Sequence, residues 1–276
     1  MSRVVVTRNT SGPGCGWILT MPVFFVGMLF CCGGVVLAGS IAEASDRRAR
    51  ESDFYIEEAS GIEEARLEVV MEAGEIRMSA LNDSANLFEA DLTWIGDLEY
   101  SRIDDTEHIY RIAHSNRHQN PLEQFFSFMD VAGNWESEPV IWDIELNDSR
   151  SLDLDVRNSA GVIDLDLRTI NLSNLFVRGS AGEVTLSLPE PAQSYTVEVV
   201  NNVGATQITL PPNANVEIIA GIDAGTIAVS PALVRVEYDE NNEVGESGIW
   251  RSAGFDAESP TITINYTGGI GELSIE

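Results

Sequence analysis

Residues 142–189 read WDIELNDSRSLDLDVRNSAGVIDLDLRTINLSNLFVRGSAGEVTLSLP, and this stretch decides the fold. Leu152, Leu154 and Val156 alternate with Asp153, Asp155 and Arg157. Successive side chains of a strand point to opposite faces, so the alternation predicts a strand with one buried and one solvated side. Gly161 follows, and beyond it Ile163 and Leu165 alternate with Asp164 and Asp166. The same order returns at Gly182, followed by Val184 and Leu186.

Working outward, the glycine recurs at Gly74, Gly96, Gly161, Gly182, Gly204, Gly225 and Gly271, with gaps of 22, 65, 21, 22, 21 and 46 residues. The two long gaps are close to three and two copies of one period of 21–22 residues. Two positions after each glycine stand Ile76, Leu98, Ile163, Val184, Thr206, Ile227 and Leu273. Pro189, Pro211 and Pro231 mark strand ends, where a missing N–H is tolerated. A fixed period of this length is the signature of a solenoid, whose single rung cannot bury its own apolar face. Two strands of about five residues and two turns fill one period. The chain is therefore predicted to be all-β, a β-solenoid or flattened β-helix of about 21–22-residue rungs over residues 65–276. Leucine-rich repeats are excluded by the absence of their helical half. An immunoglobulin-like sandwich would not need the glycine to recur in register. Residues 100–147 and 232–260 break the period and read as degenerate rungs with longer loops.

The N-terminal part is different. Gly16 to Gly39 is apolar for 24 residues, and no charged residue occurs from Asn9 to Ala42. At 1.5 Å per residue, about 20 helical residues cross a ~30 Å hydrocarbon layer. The expected organisation is a tail at 1–15, a transmembrane helix at 16–39 and a charged linker at 40–64. A cleaved signal peptide ending at Ala42-Glu43-Ala44 is the rival, but the apolar run exceeds the usual ~7–15 residues. Arginines on both sides nearly balance the positive-inside rule. The short tail and large acidic domain favour a single-pass cell-membrane protein with the domain outside the cytoplasm.

Composition removes whole classes of function. The chain has 16 arginines and no lysine, so Schiff-base and P-loop lysine chemistry are excluded. Its three cysteines, Cys15, Cys31 and Cys32, precede the repeats, which leaves the domain no disulfide or thiol nucleophile. Net charge is −28; residues 1–51 carry +2, leaving −30 on the rest, which argues against nucleic acid as a partner.

Several constellations invite chemistry. His108, His114 and His118 lie within eleven residues, but no acid separates the last two, and loop histidines are the better reading. Asp153, Asp155, Asp164 and Asp166 bring four carboxylates near one turn, a pattern open to calcium binding or glycosidase chemistry. Each alternates with an inward leucine, so a solvated strand face explains them. GGIGELSI at 268–275 departs from the calcium nonapeptide by Leu273. The stretch 100–147 gathers Tyr100, Tyr110, Phe125, Phe126, Phe128, Trp135 and Trp142. Phe125 and Phe126 are adjacent, so on a strand they face opposite ways. Phe125, Phe126, Phe128 and Trp135 are the candidate partner-binding residues, since buried aromatics dominate binding hot spots.

The order of these motifs resembles the toast-rack family of LiaF-related bacterial envelope proteins. EARLEVVMEAGEIRMSAL (64–81) with LFEADLTW (87–94) is similar to that family's N-terminal signature. The quoted core, with its small-Ala-Gly turns and LDL-like strands, is similar to its middle, and GIWRSAGFDAESPTITINYTGGIGELSI (248–275) to its end. The resemblance implies a non-enzymatic β-helical domain held at the membrane. It implies a role in envelope-stress sensing through protein contacts, with a sensor kinase as one candidate partner. The glycine-marked rungs give a core large enough to fold without metal or disulfide, so no cofactor is expected. One membrane segment, where LiaF-like proteins have several, is a departure from the pattern. A self-associating surface adhesin is the alternative, and a carbohydrate-active β-helix enzyme a third reading.

Overall fold

The structure, a computed structural model, describes residues 50–82, 84–104, 107–115, 140–238 and 245–276. Among these it is all-β. The strands in chain order are β1 (Arg50–Glu58), β2 (Glu64–Leu81), β3 (Asn86–Ile95), β4 (Asp97–Asp104), β5 (Ile109–Ser115), β6 (Ile141–Asn147) and β7 (Ser151–Asp166). They continue with β8 (Leu172–Gly179), β9 (Gly182–Ser187), β10 (Tyr195–Thr209), β11 (Val216–Val229), β12 (Leu233–Tyr238), β13 (Glu246–Ser252) and β14 (Ile262–Ile275). The predicted transmembrane segment 16–39 lies outside the described residues, among which no helix is long and apolar enough to cross a membrane.

β2, β7, β10, β11 and β14 are each bent at a glycine into two legs, and β8 with β9 makes a sixth rung of the same form. All six rungs run parallel. Alternation sends one set of side chains from each leg into a shared core: Leu154, Val156, Val197, Val199 and Ile264 from first legs, Ile163, Leu165, Leu186 and Ile208 from second legs. The bend explains the glycines. Gly74, Gly161, Gly182, Gly204, Gly271 and Gly225 follow one another from rung to rung, each with positive φ. A Cβ on Gly182 would fall 1.8 Å from the Gly161 carbonyl oxygen, closer than any side chain permits.

Asparagine supports the corner from inside. Buried Asn158 donates through Nδ2 to the Gly74 carbonyl at 2.9 Å and the Val162 carbonyl at 3.3 Å. Asn201 donates to the Ala205 carbonyl at 3.2 Å and to Thr206 Oγ1 at 3.1 Å. Buried carbonyls that a bend diverts from the ladder are satisfied this way.

The structure departs from the sequence reading in four places. Gly96 is not in the column; it has positive φ between β3 and β4, beside His114. The 87 residues from Gly74 to Gly161 separate neighbouring rungs, and among the described residues they hold one further, split rung, β5 with β6 on the outer side of β2, without a glycine of the column. β14 lies between β10 and β11, so spatial and chain order differ. Residues 50–58, assigned to the charged linker, form a strand antiparallel to β3.

Of the two irregular segments, 100–147 does supply a split rung, since β5 and β6 run parallel to the two legs of β2, whereas 232–260 forms an antiparallel end structure. At one end β5 pairs with the first leg of β2 and carries β4 antiparallel, while β6 pairs with the second leg and carries β3 and β1. At the other, β13 and β12 lie antiparallel on the first leg of β11. Tyr100 and Tyr110 both donate to Glu57, at 3.0 and 3.1 Å, and Phe88 meets the Tyr110 ring edge-on at 5.6 Å. These rings, with fully buried Trp142, close the core rather than form a contact site.

Candidate binding surfaces

Each leg that buries one row of side chains presents the next row outward, so the sequence alternation builds two outer faces. On the first-leg face, Arg66, Asp153, Asp155, Arg157, Phe176 and Glu198 line a depression of about 360 Å³. Asp155 is buried beneath two guanidinium groups. It accepts from Arg157 Nε at 2.8 Å and Nη2 at 2.7 Å, and Arg66 Nη2 stands 3.4 Å away. Arg157 and Arg178 flank the Phe176 ring at 5.4 and 5.6 Å. Desolvation raises the Asp153 carboxyl above its ordinary range; Arg66 opposes the shift, while Asp155 and Glu68 add to it. The two guanidinium groups neutralise Asp155, and the five charged residues of the lining sum to a single net negative charge.

The second-leg face is unlike it. Phe54, Arg77, Glu89, Asp91, Asp143, Glu145, Asp164 and Asp166 line a cleft of about 460 Å³ there. Glu89 lies directly opposite Glu145, and Asp91 opposite Asp143, across the β3–β6 pair. Arg77 is engaged by Glu75 at 2.6 Å and stands 3.9 Å from Asp143. Asp166 accepts from Arg168 Nε and Nη2 at 2.7 and 2.6 Å, which holds its carboxyl below the ordinary value. Phe54 and Ile56, on β1, are about half exposed at the rim.

The residues singled out on sequence distribute as follows. Phe125, Phe126, Phe128, Trp135 and His118 lie outside the described residues. His114 Nε2 sits 2.7 Å from the Ile95 carbonyl oxygen, and its Nδ1 is 3.9 Å from Glu72. His108 is near Arg102 instead, with a positive φ of 52°. Among the described residues, no group of three His, Cys, Asp or Glu is arranged to hold a metal ion. The four aspartates do not form one constellation. Asp153 and Asp155 line the first depression, Asp164 and Asp166 the second, because the Gly161 bend sends them to different faces. Sequence reasoning missed the acidic cleft. Alternating acids in LFEADLTW and WDIELN were its only signal, and their antiparallel pairing is not readable from either segment.

The family model described as the N-terminal domain of toast_rack, DUF2154, matches residues 44–209, more than half of the chain. Among solved structures, a candidate cell adhesion protein from Clostridium sporogenes is similar at 19% identity and a TM-score of 0.64, over 82% of this chain and 99% of that one. A candidate adhesin from Bacteroides fragilis aligns over 83% of this chain and 97% of its own, at 8% identity and a TM-score of 0.29, too low to bear on the fold. No curated protein matches.

Proposed function

Since this chain belongs to the toast-rack family, we propose that it is a non-enzymatic binding domain, tethered to the cell membrane through residues 16–39 and working outside the cytoplasm through protein–protein contacts. The observation that carries this reading is the construction of the two outer faces. They are broad sheets of outward side chains on a rigid stack, with shallow depressions in place of an enclosed cavity. Small-molecule sites are concave and mostly apolar, whereas sheet faces and edges of this kind suit macromolecular contact. Envelope-stress regulation, with a sensor kinase or other membrane protein as partner, is the finer form of the proposal. The 24-residue apolar run beside a domain of −30 charge supports the tether.

A second reading, surface adhesion, draws support from the Clostridium sporogenes protein, described as a candidate for cell adhesion. Photo-crosslinking from outward positions such as Thr196 and Gln207 in intact cells separates the two. A discrete membrane-protein adduct from one cell supports regulation, and adducts that need cell–cell contact support adhesion. Absence of any adduct from either position overturns both. Extraction tests the tether independently: the full chain is expected to stay with the membrane at alkaline pH until detergent is added.

A further inference from the structure

We propose that the second-leg cleft, with the apolar rim on β1, docks a cationic amphipathic segment of a partner protein. The proposal rests on the protein-binding reading above and names the chemistry of the partner.

Two features of the surface meet there. The first is the exposed apolar pair on the edge strand. Phe54 and Ile56 are 52% and 53% exposed, and β1 pairs only with β3 among the described strands. The second is a run of charge in register beside them. One row across the face reads Phe54, Asp91, Asp143, Arg77, Asp164, and the next reads Ile56, Glu89, Glu145, Ser79. Neighbouring strands stand about 4.8 Å apart, so the carboxylates begin one strand from the apolar rim. Like charges directly opposite on a sheet destabilise it, yet two such pairs are adjacent here. The side chains of Asp91, Glu145 and Asp164 make no hydrogen bond or salt bridge with any described residue, and Arg77 acts on Asp164 only through space. The contrast with the first-leg face, where Asp155 is neutralised by Arg157 and Arg66, makes this a local property and not a consequence of overall charge.

Complementarity selects the occupant. A second copy of this chain would bring another strongly acidic domain against six carboxylates, which repulsion opposes. A metal ion finds no group of three ligands among the described residues. An extended segment with an apolar end and alternating arginines meets both features. The apolar end covers Phe54 and Ile56, and guanidinium groups, which bind carboxylates bidentately, reach Asp91, Asp143 and Glu145.

The test uses the full-length chain in detergent and fluorescein-labelled peptides followed by anisotropy. The probes are WLRSRSR, its acidic counterpart WLESESE, and SSRSRSR, which lacks the apolar end. WLRSRSR is expected to bind, WLESESE not, and SSRSRSR about fivefold more weakly. Asp91→Asn/Asp143→Asn/Glu145→Gln is expected to weaken WLRSRSR about tenfold, as charge pairs at an interface do. Phe54→Ser/Ile56→Ser is expected to weaken it about fivefold and to leave SSRSRSR unchanged. Glu198→Gln/Glu217→Gln, away from the cleft, is the control for general attraction to an acidic protein. Thermal melts establish that each variant is folded. If WLRSRSR does not bind, if the control weakens it as much as the cleft variant, or if the rim variant changes nothing, the proposal is wrong. An adduct in cells that survives the cleft and rim variants overturns this inference while leaving the protein-binding reading in place.

Discussion

At the scale of single residues, the bends separate two roles that a glycine can play. Gly61 has a positive φ of 79° with nothing within 4 Å of the site of a Cβ. Gly61→Ala is therefore expected to cost only backbone strain, about 1 kcal/mol. Gly182 shares the positive φ but meets a backbone oxygen at 1.8 Å. Gly182→Ala must push two rungs apart, with an expected cost above about 4 kcal/mol, at the extreme of single substitutions. Urea melts of the two variants check the contrast; equal losses would mean the stacked column is not tight. Asn158→Ala leaves two part-buried carbonyls short of a donor and is expected to cost about 1–3 kcal/mol by the same measurement. Asp153 gives a sign in pH. Its folded pKa is raised, chiefly by desolvation, so the folded state holds its proton more tightly than the unfolded chain. That contribution favours folding at low pH and turns unfavourable as pH rises through the folded pKa. Asp153→Asn is expected to stabilise at pH 7 by less than about 1 kcal/mol, with the gain fading on acidification. A variant less stable at pH 7 would show that the Arg66 contact at 3.6 Å outweighs the desolvation.

At the scale of elements, β14 gives the sharpest prediction. In a solenoid stacked in chain order, the last strand is a terminal rung, and removing it trims the stack. Here β14 pairs along its length with β10 on one side and β11 on the other. Ending the chain at residue 260 is therefore expected to abolish cooperative unfolding and expose β10, β11 and the end strands β12 and β13. A truncated protein with a sharp melt would contradict the intercalation. The rungs themselves were legible because each carries its own signal. Leu152–Val156, Gly161 and Ile163–Leu165 specify a buried leg, a bend and a second leg without reference to any other part of the chain. Which rung neighbours which is carried by the long-range register of Gly204 with Gly271 and of Gly271 with Gly225. A period shows that copies exist and not how they are ordered, so 46 residues between Gly225 and Gly271 read as two copies when they hold the β12–β13 hairpin. β1 was missed because Phe54 and Ile56 on its outward row are apolar, while Glu57 on the other row faces the end of the core, where it meets two tyrosines. The acidic cleft fell to the same limit, since it exists only through the β3–β6 pairing.

At the scale of the whole molecule, charge opposes the fold. The chain carries 44 acidic residues against 16 arginines, and compaction brings the excess together. Several arginines are already committed: Arg157 to Asp155, Arg168 to Asp166, Arg251 to Glu217. What remains on the second-leg face is repulsion between carboxylates on adjacent strands. Salt acts on both terms. Screening weakens exposed bridges such as Arg168–Asp166, worth less than about 1 kcal/mol each. It weakens the summed repulsion more, because that sum runs over many pairs spaced near the ~10 Å Debye length of 0.1 M salt. The sign follows: sodium chloride is expected to stabilise this domain. Raising it from about 20 mM to 500 mM should lift Tm by several degrees, at roughly 2–4 °C per kcal/mol for a domain of this size. Acidification moves the same balance. Lowering pH from 8 to about 5 reduces the negative charge and favours the Asp153 proton, so stability is expected to rise. Below the ordinary aspartate value of 3.8 the trend reverses, because Asp166 has a depressed folded pKa and its contribution is lost as pH falls through it. Calorimetric scans over salt at pH 7.5, and over pH at fixed salt, test both arms. A Tm that falls with added chloride would show that the ion-pair lattice on the first-leg face outweighs the repulsion. The Asp91→Asn/Asp143→Asn/Glu145→Gln variant locates the effect: if the cleft is the main source, the variant melts higher at low salt and responds less to chloride than the parent chain.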